Sequence, residues 1–95
     1  MCNFKKIIEM YYIAVYDVGE KRVGKMLKIF RKYLHHIQNS VFEGELTDAD
    51  FLRLKIEVKK LYKPNEDSVI FFSLTGKYLQ KEVLGEEKRS PSNFI

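Results

Sequence analysis

Met10–Glu20 reads Met-Tyr-Tyr-Ile-Ala-Val-Tyr-Asp-Val-Gly-Glu, and the fold is decided here. From Tyr11 to Tyr16 every residue is apolar or strand-favouring, with no polar position to mark a solvent face. Such a run reads as a central strand covered on both sides, because a half-exposed strand would alternate. Asp17 closes the strand where the chain turns through Val18-Gly19, and a strongly basic segment follows. A carboxylate fixed at the end of a rigid element can meet a ligand with little reorganisation. Asp17 is therefore the first candidate for chemistry, and the basic segment points that chemistry towards phosphate.

Downstream, Val23, Met26, Leu27, Phe30 and Leu34 fall at offsets of 3, 4, 7 and 11, which predicts a helix over Glu20–Leu34 with one apolar face. On the other side Lys21, Lys25, Lys28 and Lys32 repeat at helical spacing, flanked by Arg22 and Arg31, and no acid stands among the six. Asp17-x-x-Glu20 also matches a capping box, so Asp17 reads either as a helix cap or as a ligand. His35–Leu46 is extended, as one bent strand or as two short ones turning near Gln38-Asn39. Thr47-Asp48-Ala49-Asp50 opens a second helix with a Thr cap and acids in its first turn. That helix aligns Phe51, Leu54, Val58 and Leu61 and stops at Lys63-Pro64-Asn65. Val69–Phe72, inside Asp67–Leu74, is a second strand too apolar for one-sided cover. A Thr75-Gly76 turn then leads to a weaker edge strand over Lys77–Leu84.

This order predicts an α+β, ferredoxin-like β-α-β-β-α-β sheet with an extra C-terminal edge strand and both helices on one face. The bare second face, rich in Tyr and Phe, calls for cover, and a homodimer is the simplest source. Residues 1–9 read as an N-terminal extension, 10–84 as one domain, and 85–95 as a flexible tail ending in Phe94-Ile95.

Ninety-five residues suffice for one core, and 45% hydrophobic with 32% charged residues is a globular composition. Lys and Arg number 17 against 13 acids, an excess that permits a polyanionic partner and leaves charge placement to decide. Cys2 is the only cysteine, which excludes an intrachain disulfide and the cysteine-pair zinc patterns and predicts a cytoplasmic protein. No stretch approaches the roughly 20 apolar residues of a membrane span. His35 and His36 are neighbours, on opposite faces of a strand, and cannot chelate one metal. Tyr11, Tyr12 and Tyr16 read as packing residues rather than base-stacking ones. The chain has no Gly-rich phosphate loop and no Ser-His-Asp set.

Three segments together are more specific: Tyr-Asp-Val-Gly-Glu-Lys-Arg at 16–22, Gln-Asn-Ser-Val-Phe-Glu-Gly-Glu-Leu-Thr at 38–47, and Glu-Asp-Ser-Val-Ile at 66–70. In this order and spacing they resemble the small CRISPR-associated adaptation protein, the second of the widely shared pair that captures new spacers. The resemblance runs from Met10 to about Leu84. It implies a ferredoxin-like homodimer whose two Asp17 carboxylates face each other near the twofold axis. It also implies a metal-dependent endonuclease, named an endoribonuclease in the family, with some members cutting duplex DNA. The cofactor would be Mg²⁺ or Mn²⁺, and the partners integrase dimers, duplex DNA and single-stranded RNA. By position, Asp17 matches the metal-binding aspartate and Tyr16 its neighbour, Arg22 a recurrent basic residue, and Ser40 and Phe42 the lining of the same cleft. Lys21, Arg22, Lys25, Lys28 and Lys32 would track the phosphodiester backbone. A non-catalytic DNA-binding scaffold of the spacer-integration complex is the alternative, and RNA versus DNA as substrate stays open. The extension ahead of Met10 departs from the family pattern.

Overall fold

The apolar run is the middle strand of a sheet. The computed structural model describes residues 9–75 and 78–85. The extension through residue 8, the last turn at Gly76 and Lys77, and the tail after Gly85 lie outside the described residues. The elements are β1 (Glu9–Asp17), α1 (Glu20–Arg31), β2 (His35–Gln38), β3 (Val41–Thr47), α2 (Asp48–Leu61), β4 (Ser68–Thr75) and β5 (Tyr78–Gly85). The sheet order is β2-β3-β1-β4-β5, and all four neighbour pairs are antiparallel. Four of these strands make the ferredoxin-like arrangement, and β5 adds an edge beside β4.

Alternation along β1 divides the sheet into two faces. Tyr12, Ala14 and Tyr16 are buried beneath the helices with Phe42 and Leu46 of β3 and Val69 and Phe71 of β4. Tyr12 stacks on Phe51 of α2, and Tyr16 packs on Phe30 of α1, so both helices cover that face. Tyr12 and Tyr16 are thus packing residues, as expected, while Tyr11 lies on the other face. On the opposite face Tyr11, Ile13 and Val15 are half-buried, and the register sets Leu74, Phe72 and Ile70 of β4 beside them. Both faces are apolar, which explains the unbroken run, but among the described residues the helices cover only the first.

Three local expectations sharpen or change. The 35–47 segment is two strands, turning at Asn39, whose φ of 45° suits an asparagine better than most side chains. Thr47 caps α2 as predicted, its hydroxyl accepting from the Asp50 N–H at 3.1 Å. The Asp17-x-x-Glu20 capping box does not form: the N-cap of α1 is Gly19, too far along for Asp17 to serve. α1 ends at Arg31, short of the expected Leu34; Met26 and Phe30 are buried on it and Leu34 just beyond it, whereas Val23 is 40% exposed and leaves the predicted apolar face. Among the described residues no helix is long and apolar enough to cross a membrane.

Candidate nucleic-acid and metal site

Asp17 is exposed at the C-terminal end of the central strand. On one side it pairs in register with Ser68, the first residue of β4. On the other, the Tyr16 N–H donates to the Ser40 carbonyl at 3.1 Å, which joins the strand end to the β2–β3 turn. The sheet thus brings Tyr16, Asp17 and Ser40 to one place. Tyr16 is only 4% exposed and rests against Phe30 and Phe42. Burial pushes its phenol up, while a hydrogen bond with Ser40 and the charge of Arg31 pull it back. Its ring serves to fix the strand end. Phe42 is wholly buried, with Tyr16 on one side and His36 stacked at 4.6 Å on another. In a single chain it lies in the core, beneath the strand end rather than at the surface.

Arg22 stands apart from the rest of the basic stripe. Its Nε donates to Oδ2 of Asp67 at 2.6 Å, and its Nη2 donates to Oδ1 of Asp67 at 2.8 Å and to Oε1 of Glu66 at 2.9 Å. Only 12% of its side chain is exposed, and Asp67 is wholly buried. Asp67 also accepts the Gly19 N–H on Oδ1 at 2.8 Å and the Lys63 N–H on Oδ2 at 2.9 Å. Each carboxylate oxygen therefore receives two hydrogen bonds, the arrangement that makes a buried charge tolerable. Arg22, against the cost of burial and with help from the two N–H groups, holds the Asp67 carboxyl far below the usual carboxylate range. Asp67 in turn raises the Arg22 guanidinium further above its ordinary value. Sequence reasoning gives Asp67 no role, since two of its three partners, Arg22 and Gly19, lie 45 and 48 positions away.

The remaining bases divide by position. Lys21, Lys25 and Lys28 are exposed on α1, as is Arg31. Lys32 is bonded to Glu57 of α2, which also accepts from the Tyr33 hydroxyl. Lys59, Lys60 and Lys63 are exposed at the end of α2. Since the Lys63 and Gly19 amides share one carboxylate, the end of α2 and the start of α1 meet beside the Asp17 turn. Both helices thus bring positive charge to the same end of the sheet. Among the described residues no group of three or more His, Cys, Asp and Glu side chains is arranged to hold a metal within one chain. Asp17 offers a single carboxylate, and Mg²⁺ is commonly held by one or two carboxylates with water completing its shell. The donor type fits.

The sequence model of the family described as CRISPR associated protein Cas2 matches residues 10–82. A protein of Methanosarcina acetivorans named CRISPR-associated endoribonuclease Cas2 is 48% identical over 87 residues, covering 90% of this chain and 100% of that protein. A protein of the same name from Thermotoga maritima is 54% identical over 80 residues, covering 83% of this chain and 92% of the other. Among solved structures, one titled as the crystal structure of cas2 superposes with a TM-score of 0.69 at 40% identity, over 87% of this chain and 94% of that one. A hypothetical protein of Thermus thermophilus shares the fold with a TM-score of 0.67 at 23% identity, over 72% of this chain and 84% of the other.

Proposed function

This chain belongs to the CRISPR-associated Cas2 family, and we propose that it serves CRISPR adaptation as a metal-dependent endonuclease whose Asp17 acts together with the Asp17 of a second copy. The relatives' name, endoribonuclease, supports phosphodiester hydrolysis. The observation that carries the reading is the contrast in setting between the acids at this end of the sheet. Asp67 is buried and saturated with donors, whereas Asp17 is exposed at the end of the central strand.

The half-buried apolar face of β1 and β4 supports a homodimer, because a second copy would remove Tyr11, Ile13, Val15, Ile70, Phe72 and Leu74 from water. Two Asp17 carboxylates brought close would repel, and a divalent cation relieves that repulsion. Mg²⁺ or Mn²⁺ held there would supply Lewis-acid polarisation of a phosphoryl oxygen and a hydroxide nucleophile. The chain's own residues do the rest. Lys21, Lys25 and Lys28 hold the phosphodiester backbone by charge, Tyr16 and Ser40 keep the strand end fixed, and Arg22 holds the turn rather than the nucleic acid. Replacing Asp17 by Ala should abolish metal-dependent cleavage by the purified protein while leaving its fold and association state unchanged. Retained cleavage would contradict the reading.

The exposed lysines favour a second reading. Three on α1 and three at the end of α2 offer a sequence-independent hold on duplex DNA that needs no chemistry. In that reading the dimer bridges integrase dimers on prespacer DNA as a scaffold. Spacer insertion alongside the integrase separates the two: an Asp17→Ala protein that no longer cleaves yet still supports insertion is a scaffold in that process.

A further inference from the structure

We propose that Asp67, through Arg22 and Gly19, is a positioning residue that sets the Asp17 carboxylate for its metal, an inference that rests on the reading of Asp17 above. Asp17 is bracketed by one short segment. Its own backbone pairs with Ser68, the residue after Asp67, and two residues later the Gly19 N–H donates to Asp67 Oδ1 at 2.8 Å. The turn Val18-Gly19 is thereby tied at both ends to the start of β4. The Arg22 guanidinium packs close against that turn: a Cβ built on Gly19 would stand 2.5 Å from Arg22 Nη2. Gly19 has φ −58° and ψ 150°, which any residue can adopt, so the position is limited by space and not by backbone conformation. Beyond β4, Gly85 at φ +88° presses on the Asp67 carbonyl, where a Cβ would stand 2.2 Å away. Asp67 is thus held from the turn, from the helix, from the Lys63 amide and from β5. Asp67 directly precedes the residue that pairs with the exposed Asp17.

Fixing a ligand from behind is how outer partners tune a metal site, and losing such a partner typically costs 10–100-fold in metal affinity or activity. The probe is Mn²⁺ itself, titrated onto the full-length protein and read by the loss of the free-ion electron paramagnetic resonance signal. Four variants are compared with the wild type: Asp17→Asn, Asp67→Asn, Gly19→Ala and Glu57→Gln. Asp67→Asn removes the charge from the clamp. Gly19→Ala leaves Asp67 and Arg22 chemically intact and displaces the guanidinium. Glu57→Gln weakens the α1–α2 link without touching the clamp. Hydrogen exchange of the Gly19 amide is followed in parallel.

The expected result is loss of the site in Asp17→Asn, and Mn²⁺ affinity reduced about 10-fold or more in Asp67→Asn and Gly19→Ala. Gly19 exchange should accelerate in those two variants, and Glu57→Gln should bind Mn²⁺ as the wild type does. If Asp67→Asn fails to fold, Gly19→Ala carries the comparison. Asp17-dependent binding that is unchanged in the folded clamp variants overturns the positioning role alone. Equal losses in Glu57→Gln and the clamp variants also overturn it, since general destabilisation would then explain both. Binding that ignores Asp17→Asn overturns the site, and the positioning role with it.

Discussion

Two aspartates end up within one strand spacing of each other and meet opposite fates. Asp17 closes β1 and is exposed; Asp67 immediately precedes β4 and is sealed. Ser68 separates them by pairing with the first and following the second. Asp67 receives four hydrogen bonds, two from one guanidinium and two from backbone amides. A carboxylate so completely satisfied has no capacity left for a ligand, whereas one at an exposed strand end can meet water, a cation or a phosphate's metal. The lesson is that burial, rather than residue type, separates the acid that holds the fold from the acid proposed to meet the metal.

The sharpest way to break this comparison is to exchange the consequences. Asp67→Ala should destabilise the protein by about 3–5 kcal/mol, the usual result of stranding one partner of a buried pair, and thermal melting would show it. Asp17→Ala should shift stability by only about 0.5 kcal/mol, as surface substitutions do. If the two melts move equally, the division of labour between the acids is wrong.

The second test uses pH. Asp67 is held below its ordinary range, so its contribution is fully present above the ordinary carboxylate value and is lost as pH falls through the folded one. The urea midpoint of the wild type should therefore exceed that of Asp67→Asn by a constant amount between pH 5 and 8. The gap should narrow only below about pH 4, the unperturbed aspartate value. A gap that closes near neutrality would mean that another group controls the clamp.

The lysines provide a test on binding. With Lys21, Lys25 and Lys28 replaced by Glu, affinity for duplex DNA should fall and its salt dependence flatten. Each phosphate contact removed should reduce the log–log slope by about 0.9. Arg22 belongs to the clamp, so Arg22→Lys should lower stability while leaving that slope as it was. A small effect is also expected at Glu57, where Glu57→Gln loosens the bond to Lys32 and weakens that to Tyr33. About 1 kcal/mol or less should appear in the melt, as expected of a partly exposed ion pair.

Much of this was legible in the chain. The run from Tyr11 to Tyr16 marks a central strand because no residue in it prefers water, and Thr47 with Asp50 marks the start of α2 because the cap is a local interaction. The family segments at 16–22, 38–47 and 66–70 carry the identity of the fold. What was not legible depends on contacts distant in sequence. Arg22 looks like one base in a stripe until Asp67 closes on it from 45 positions away, and Lys32 looks open until Glu57 of α2 reaches it. The split of 35–47 into two strands escapes periodicity because all four residues of β2 are exposed and give no alternation. Asp17-x-x-Glu20 has the letters of a capping box, but the turn runs two residues further before α1 begins.

The central claim is that two chains share one cation through their strand-end aspartates. Counting bound Mn²⁺ per chain tests it most directly, by equilibrium titration of the purified protein with the association state measured in the same buffer. The account predicts one tightly bound ion for every two chains and none at that affinity in Asp17→Asn. A full ion on each chain, or an undiminished count in Asp17→Asn, would contradict it.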